Sequence, residues 1–197
     1  MKTLKLSVIT LIAGSFLFTS CGGGVSEELK KELGAFETEW TKAGEAATAF
    51  GASISEEDSA MAQMRPSELP DSLKMNATPE QLAVIDSLNT VCSGHTEKVA
   101  EIKSTFDGFK ASWDKDSKDW ADWKAKVEKG EVKEEEAKTE LENWKKKLAA
   151  ANTSIGEWQS ALDGVSSECS ATCKAQKDAI AAIPAAPVKE EKGKKKK

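Results

Sequence analysis

The strongest constraint in this chain is a repeated three- and four-residue rhythm of apolar side chains. Ile85, Leu88, Cys92, His95, Val99, Ile102, Phe106, Phe109, Trp113, Trp120, Trp123 and Val127 keep that rhythm, broken only at Asp116. Residues spaced this way fall on one face of an α-helix. A period near 3.5 residues makes that face a coiled-coil or bundle seam. The same rhythm returns in Ala137, Leu141, Trp144, Leu148, Ala151, Ile155, Trp158, Leu162, Val165, Cys169, Thr172, Gln176, Ala179 and Ile183. Gly130 lies between the two runs, and two seamed helices joined by a short turn must fold back antiparallel.

The expected class is therefore all-α: a long, coiled-coil-like antiparallel helical hairpin over 78–183. Thr78-Pro79-Glu80-Gln81 reads as its helix start, with Thr78 as the cap and Pro79 at the first helical position. An additional N-terminal helix is expected over 26–51. There Val25, Leu29, Leu33, Phe36, Trp40, Ala43, Ala47 and Phe50 form one stripe, and Ser26 is placed to cap it. Residues 52–77 are rich in Ser, Glu and Asp and contain Pro66 and Pro70, so they read as a loop. The result is a three-helix arrangement from which the hairpin protrudes.

Composition excludes several functions. The net charge is −5, and no nucleic-acid partner is expected of so acidic a chain. There is one His and no phosphate-cradling glycine loop or dinucleotide fingerprint, so no enzyme is expected. Asp114, Asp116, Asp119 and Asp122 lack the Gly and terminal Glu of a calcium loop and read as a solvated helix face. Trp113, Trp120, Trp123 and Trp144 fall on the seam positions and read as its filling.

The cysteines carry the sharpest local expectation. Folding the hairpin about a turn near 130–132 pairs residues whose numbers sum to about 260–265. That register sets Cys92 opposite Cys169 or Cys173, with His95 one turn along. Two chemistries fit. One is a disulfide from Cys92 to Cys169 or Cys173, closing a loop that the chain-entropy model values at about 4 kcal/mol. The other is a metal site holding Zn or Cu through Cys92, His95, Cys169 and Cys173. No cofactor is required by the first, and the second is its alternative.

The N-terminal residues place the chain in a compartment. Lys2 and Lys5 precede an apolar run from Leu6 to Phe18, and Thr19-Ser20-Cys21 follows. A basic start, an apolar stretch and small residues at a cleavage point mark a secretory signal. The run is shorter than the roughly 20 residues a membrane span needs. Leu17-Phe18-Thr19-Ser20-Cys21 resembles the lipobox of bacterial lipoproteins, with Phe18 where Leu is usual. That resemblance implies removal of the signal at 1–20, a diacylglycerol on Cys21 and a tether over 21–25. Loss of Lys2 and Lys5 would take the charge from −5 to −7. The chain would then be held on the extracytoplasmic face of the outer or cytoplasmic membrane, where disulfides persist.

Residues 184–197 are rich in Pro, Ala and Lys and read as a disordered tail. Lys194 to Lys197 could contact anionic lipid or a wall polymer. A lipid-bearing Cys, a helical rod and a C-terminal Lys together resemble the layout of Braun-type lipoproteins, which implies attachment to the wall. The terminal motif of that family does not precede Lys197. The expected role is a lipid-anchored structural or interaction protein of the cell envelope. Its partner is an unidentified envelope protein or a second copy of itself, and the alternative is a metal-binding lipoprotein.

Overall fold

The computed structural model describes residues 25–64 and 69–184. Four helices follow in order: α1 (Glu27–Met64), α2 (Asp71–Lys74), α3 (Pro79–Glu128) and α4 (Glu134–Ala181). No strand occurs among the described residues. The protein is all-α, with three long helices packed together. Cys21 and Lys194 to Lys197 lie outside the described residues.

Each long helix begins with chemistry written in the sequence. The Ser26 hydroxyl accepts from the Leu29 amide at 3.3 Å, and Glu27 and Glu28 occupy the first turn of α1, where the helix dipole favours negative charge. Thr78 caps α3 in a full capping box: the Gln81 amide donates to its hydroxyl at 3.2 Å, and the Gln81 side-chain carbonyl accepts from the Thr78 amide at 2.9 Å. The Gln81 amide group then reaches across to donate to the Ala182 carbonyl at 3.2 Å, tying the start of α3 to the end of α4.

The hairpin turn is a Schellman motif. Gly130 has φ 73°, the left-handed conformation that glycine adopts without steric cost. The Glu131 amide donates to the Lys126 carbonyl and the Gly130 amide to the Val127 carbonyl, both at 3.0 Å. These bonds satisfy carbonyls that the end of α3 would otherwise leave open. Lys133 then precedes Glu134, Glu135 and Glu136 in the first turn of α4.

α1 differs from the expectation. It does not stop near Phe50 but continues to Met64, and part of the expected 52–77 loop is helix. A further turn of helix, α2, sits inside the same stretch. The physical reason is that the seam continues: Phe50, Ile54 and Met61 are all buried, at 2%, 1% and 3% exposure. The polar residues between them occupy the outer face, and Pro66 comes only after Met64. With α1 this long, the hairpin is covered along most of its length instead of protruding far beyond the third helix.

Contacts along α1 give its direction. Ser26 meets Glu134, Trp40 meets Trp144 and Phe50 meets Trp158, so α1 runs parallel to α4. Glu37 pairs with Lys124 at 2.6 Å and Phe50 packs on Phe106, so it runs antiparallel to α3. The core divides into two long clusters. One joins Val25 through Ala43 to Trp120, Val127, Leu141 and Leu148 near the hairpin turn. The other joins Phe50, Ile54 and Met61 to Val99, Leu162, Cys169 and Cys173. A small third cluster of Leu69, Ile85 and Ile183 closes the far end, with Leu73 packed against it.

Candidate functional site

Three thiols meet where α1 comes to its end. Cys92 is on α3; Cys169 and Cys173 are one turn apart on α4. The Sγ of Cys173 lies 3.9 Å from that of Cys92 and 3.9 Å from that of Cys169. Folding about Gly130 explains the meeting, since the heptad register carries each residue of α3 to its facing partner on α4. No disulfide joins the three cysteines to one another. Their spacing is that of packed sulfurs, against about 2.05 Å in a bond.

Exposure separates the three. Cys169 and Cys173 are 3% and 4% exposed, while Cys92 is intermediate. Burial pushes the Cys169 thiol up to about 11, and the neighbouring Cys173 adds to the shift. A thiol held so far above its ordinary range carries little thiolate at neutral pH and is a poor nucleophile.

His95 joins this level but turns to other partners. It is buried at 5% exposure. Its Nε2 is 3.4 Å from the Thr172 hydroxyl, and its Nδ1 is 3.7 Å from a carboxylate oxygen of Glu168. The second distance exceeds a hydrogen bond, and Nδ1 is left without one; it becomes an ion pair only if the ring is protonated. Lys98 approaches the same Glu168 oxygen at 3.5 Å. The candidate ligands Cys92, His95, Cys169 and Cys173 thus share one level of the bundle. Among the described residues, no three His, Cys, Asp or Glu side chains converge to hold a metal ion in this arrangement.

One turn further toward the end of α4 sits a polar layer that the sequence did not single out as such. Gln176 is 1% exposed; its amide donates to the Asn89 side-chain carbonyl. Its own carbonyl lies 3.9 Å from the Cys92 sulfur. Asn89 and Gln176 occupy facing positions in the same register as Cys92 and Cys173. Two polar residues with that sum were the available signal.

The tryptophans form a packed wall, not an open platform. Trp40 stacks on Trp113 with centroids 4.2 Å apart and interplanar angle 12°, and meets Trp144 edge-on at 5.6 Å. Phe36 meets Trp120 edge-on at 4.6 Å. Trp40, Trp120 and Trp144 are buried. The Trp40 indole N–H donates to the Ser117 hydroxyl at 3.0 Å, whereas that of Trp144 has no partner. Trp40, from α1, is the member that hairpin pairing alone could not place there. Asp116, the interruption in the α3 seam, pairs with Lys147 of α4 at 2.6 Å.

An open groove of about 270 Å³ runs between α1 and α3, with Ala47, Gly51, Ile54 and Phe106 in its lining and Lys103, Asp107 and Lys110 at its edge. No described helix is long and apolar enough to cross a membrane. No family model, curated protein or solved structure matches the chain.

Proposed function

We propose that this chain is a lipid-anchored helical spacer and interaction protein of a bacterial cell envelope, without catalytic activity. The observation that carries the reading is the placement of the bundle's two ends. Val25 is buried in the same cluster as Val127 and Ala137, beside the hairpin turn. The last described residues lie beyond Ala181, at the far end of the 48-residue α4, about 70 Å away.

The lipobox-like segment at 17–21 therefore joins the bundle at one end, and the Lys-rich segment at 184–197 joins it at the other. A rod with a lipid signal at one end and a basic cluster at the other suits a molecule that holds two envelope surfaces apart. In this reading the lipid on Cys21 provides the membrane attachment. Lys194 to Lys197 provide an electrostatic contact with anionic lipid or wall polymer. The long heptad helices suit a rigid spacer because every turn is packed against a neighbour.

The test is cell fractionation with metabolic labelling. Bacteria producing the natural chain are grown with an alkyne-bearing fatty acid. The chain is expected in the membrane fraction, labelled, and with residues 1–20 missing from its intact mass. Cys21→Ser is expected to abolish the label and the membrane association. A chain that keeps residues 1–20, or a Cys21→Ser variant that stays bound to membranes, refutes the reading.

A further inference from the structure

We propose that Cys92 and Cys173 are a redox-active dithiol, closed to a disulfide by exchange with an external disulfide, and that this bond clasps α3 to α4 at the level where α1 ends. Cys169 takes no part in it.

The two 3.9 Å sulfur separations around Cys173 are not equivalent. Cys169 and Cys173 stand four residues apart in one helix, where Cβ atoms are about 5–6 Å from each other. A disulfide needs them about 3.5–4.5 Å apart. Joining this pair would unwind a turn of α4. Cys92 and Cys173 face each other from different helices, so side-chain rotation, with a small approach of the helices, can bring their sulfurs together.

Access gives the order of events. Cys92 is the partly exposed member, so an external disulfide reaches it first. The Cys92 thiol gives its proton to solvent, and the thiolate attacks one sulfur of that disulfide. The external S–S bond breaks, one thiol leaves, and a mixed disulfide remains on Cys92. Cys173 then loses its proton and attacks the Cys92 sulfur. The mixed bond breaks, the second external thiol leaves, and Cys92–Cys173 is joined. The chain has lost two electrons and the external disulfide has gained them. Cys173 is the thiol placed for the resolving step, because its sulfur faces that of Cys92 at 3.9 Å.

The position gives the bond a consequence. Met61, in the last turn of α1, packs in the same cluster as Cys169 and Cys173. Beyond it, α3 and α4 are held by the Gln176–Asn89 and Gln81–Ala182 hydrogen bonds and the small Leu69, Ile85 and Ile183 cluster. Closure at this level stabilises the end of the bundle with the smallest core, and reduction releases it. The geometry stands without the envelope reading; only persistence of the bond in cells rests on it.

The test uses the full chain in detergent, reduced, freed of reductant and equilibrated in glutathione redox buffers, followed by non-reducing peptide mapping and intact mass. The expected product is a Cys92–Cys173 cross-linked peptide, with the intact mass about 2 Da below the reduced value. Cys169→Ser is expected to retain it, and Cys92→Ser or Cys173→Ser to lose it while circular dichroism shows the helix content kept. In the reduced natural chain, which needs no variant, alkylation of Cys92 is expected to precede that of Cys169 and Cys173. A cross-link containing Cys169 overturns the proposal, as does a glutathione adduct on Cys92 that is never resolved. Zinc or copper retained by the reduced chain in native mass spectrometry, and lost in each Cys variant, overturns it in favour of a metal site. Because the buffers are defined in vitro, failure here is separate from failure of the envelope reading.

Discussion

Ser26 and Glu134 hold the starts of two helices together. The Ser26 amide donates to one carboxylate oxygen of Glu134 at 3.1 Å and the Ser26 hydroxyl to the other at 2.8 Å. The same hydroxyl oxygen accepts from Leu29, so one serine both caps α1 and docks it on α4. The Lys138 ammonium first, and Ser26 second, hold the Glu134 carboxyl down at about 2 from its ordinary 4.5. Its folded value is depressed, so the stabilisation is present above pH 4.5 and is lost as pH falls toward 2. Amide protection in the first turns of α1, taken relative to the intrinsic exchange rate at each pH, is expected to fall across that window, and Glu134→Gln is expected to remove that fall. An unchanged fall in the variant would refute this link.

Gly130 closes the hairpin in a conformation that penalises side chains. Gly130→Ala is expected to cost about 1–2 kcal/mol, and Gly130→Asn less, because Asn tolerates the left-handed region better. Urea denaturation of the three proteins checks the order. Equal midpoints for all three would mean that the turn relaxes freely.

Two helical glycines make a paired test of how closely α1 approaches α3. A Cβ on Gly108 would meet nothing within 4 Å, whereas one on Gly51 would lie 3.0 Å from the Phe106 ring. Gly108→Ala is expected to stabilise by about 0.5–1 kcal/mol through helix propensity. Gly51→Ala is expected to return less or to destabilise, since Phe106 must move. Thermal melts that rank Gly51→Ala above Gly108→Ala would contradict the observed packing.

Ile54 tests the length of α1. A loop isoleucine would tolerate truncation; this one is 1% exposed and packs in the same cluster as Val99 and Leu162. Ile54→Ala is expected to cost about 2–5 kcal/mol in denaturant unfolding. A loss under about 0.5 kcal/mol, the scale of an ordinary surface change, would return the segment to a loop.

The sequence alone determined the elements whose signals are local or periodic. The α3 and α4 seams follow from spacing, the start of α3 from Thr78 and Pro79 and the turn from Gly130. The register that a short turn imposes set Cys92 opposite Cys169 or Cys173, and packing selected Cys173, whose sulfur lies 3.9 Å away. Ile54 and Met61 were also legible as a continuation of the α1 stripe, but the Ser, Glu and Asp residues between them obscured it. Those polar residues lie outside the seam, where composition says little about helix length. Tertiary structure decided what depends on a third body. It brought Trp40 into the wall with Trp113, Trp120 and Trp144, set α1 parallel to α4, and let Glu134 find Ser26. It also directed the His95 nitrogens to Thr172 and Glu168, because a ring's orientation is set by its neighbours on the facing helix. Periodicity tells which face of a helix is buried; only packing tells which neighbour buries it.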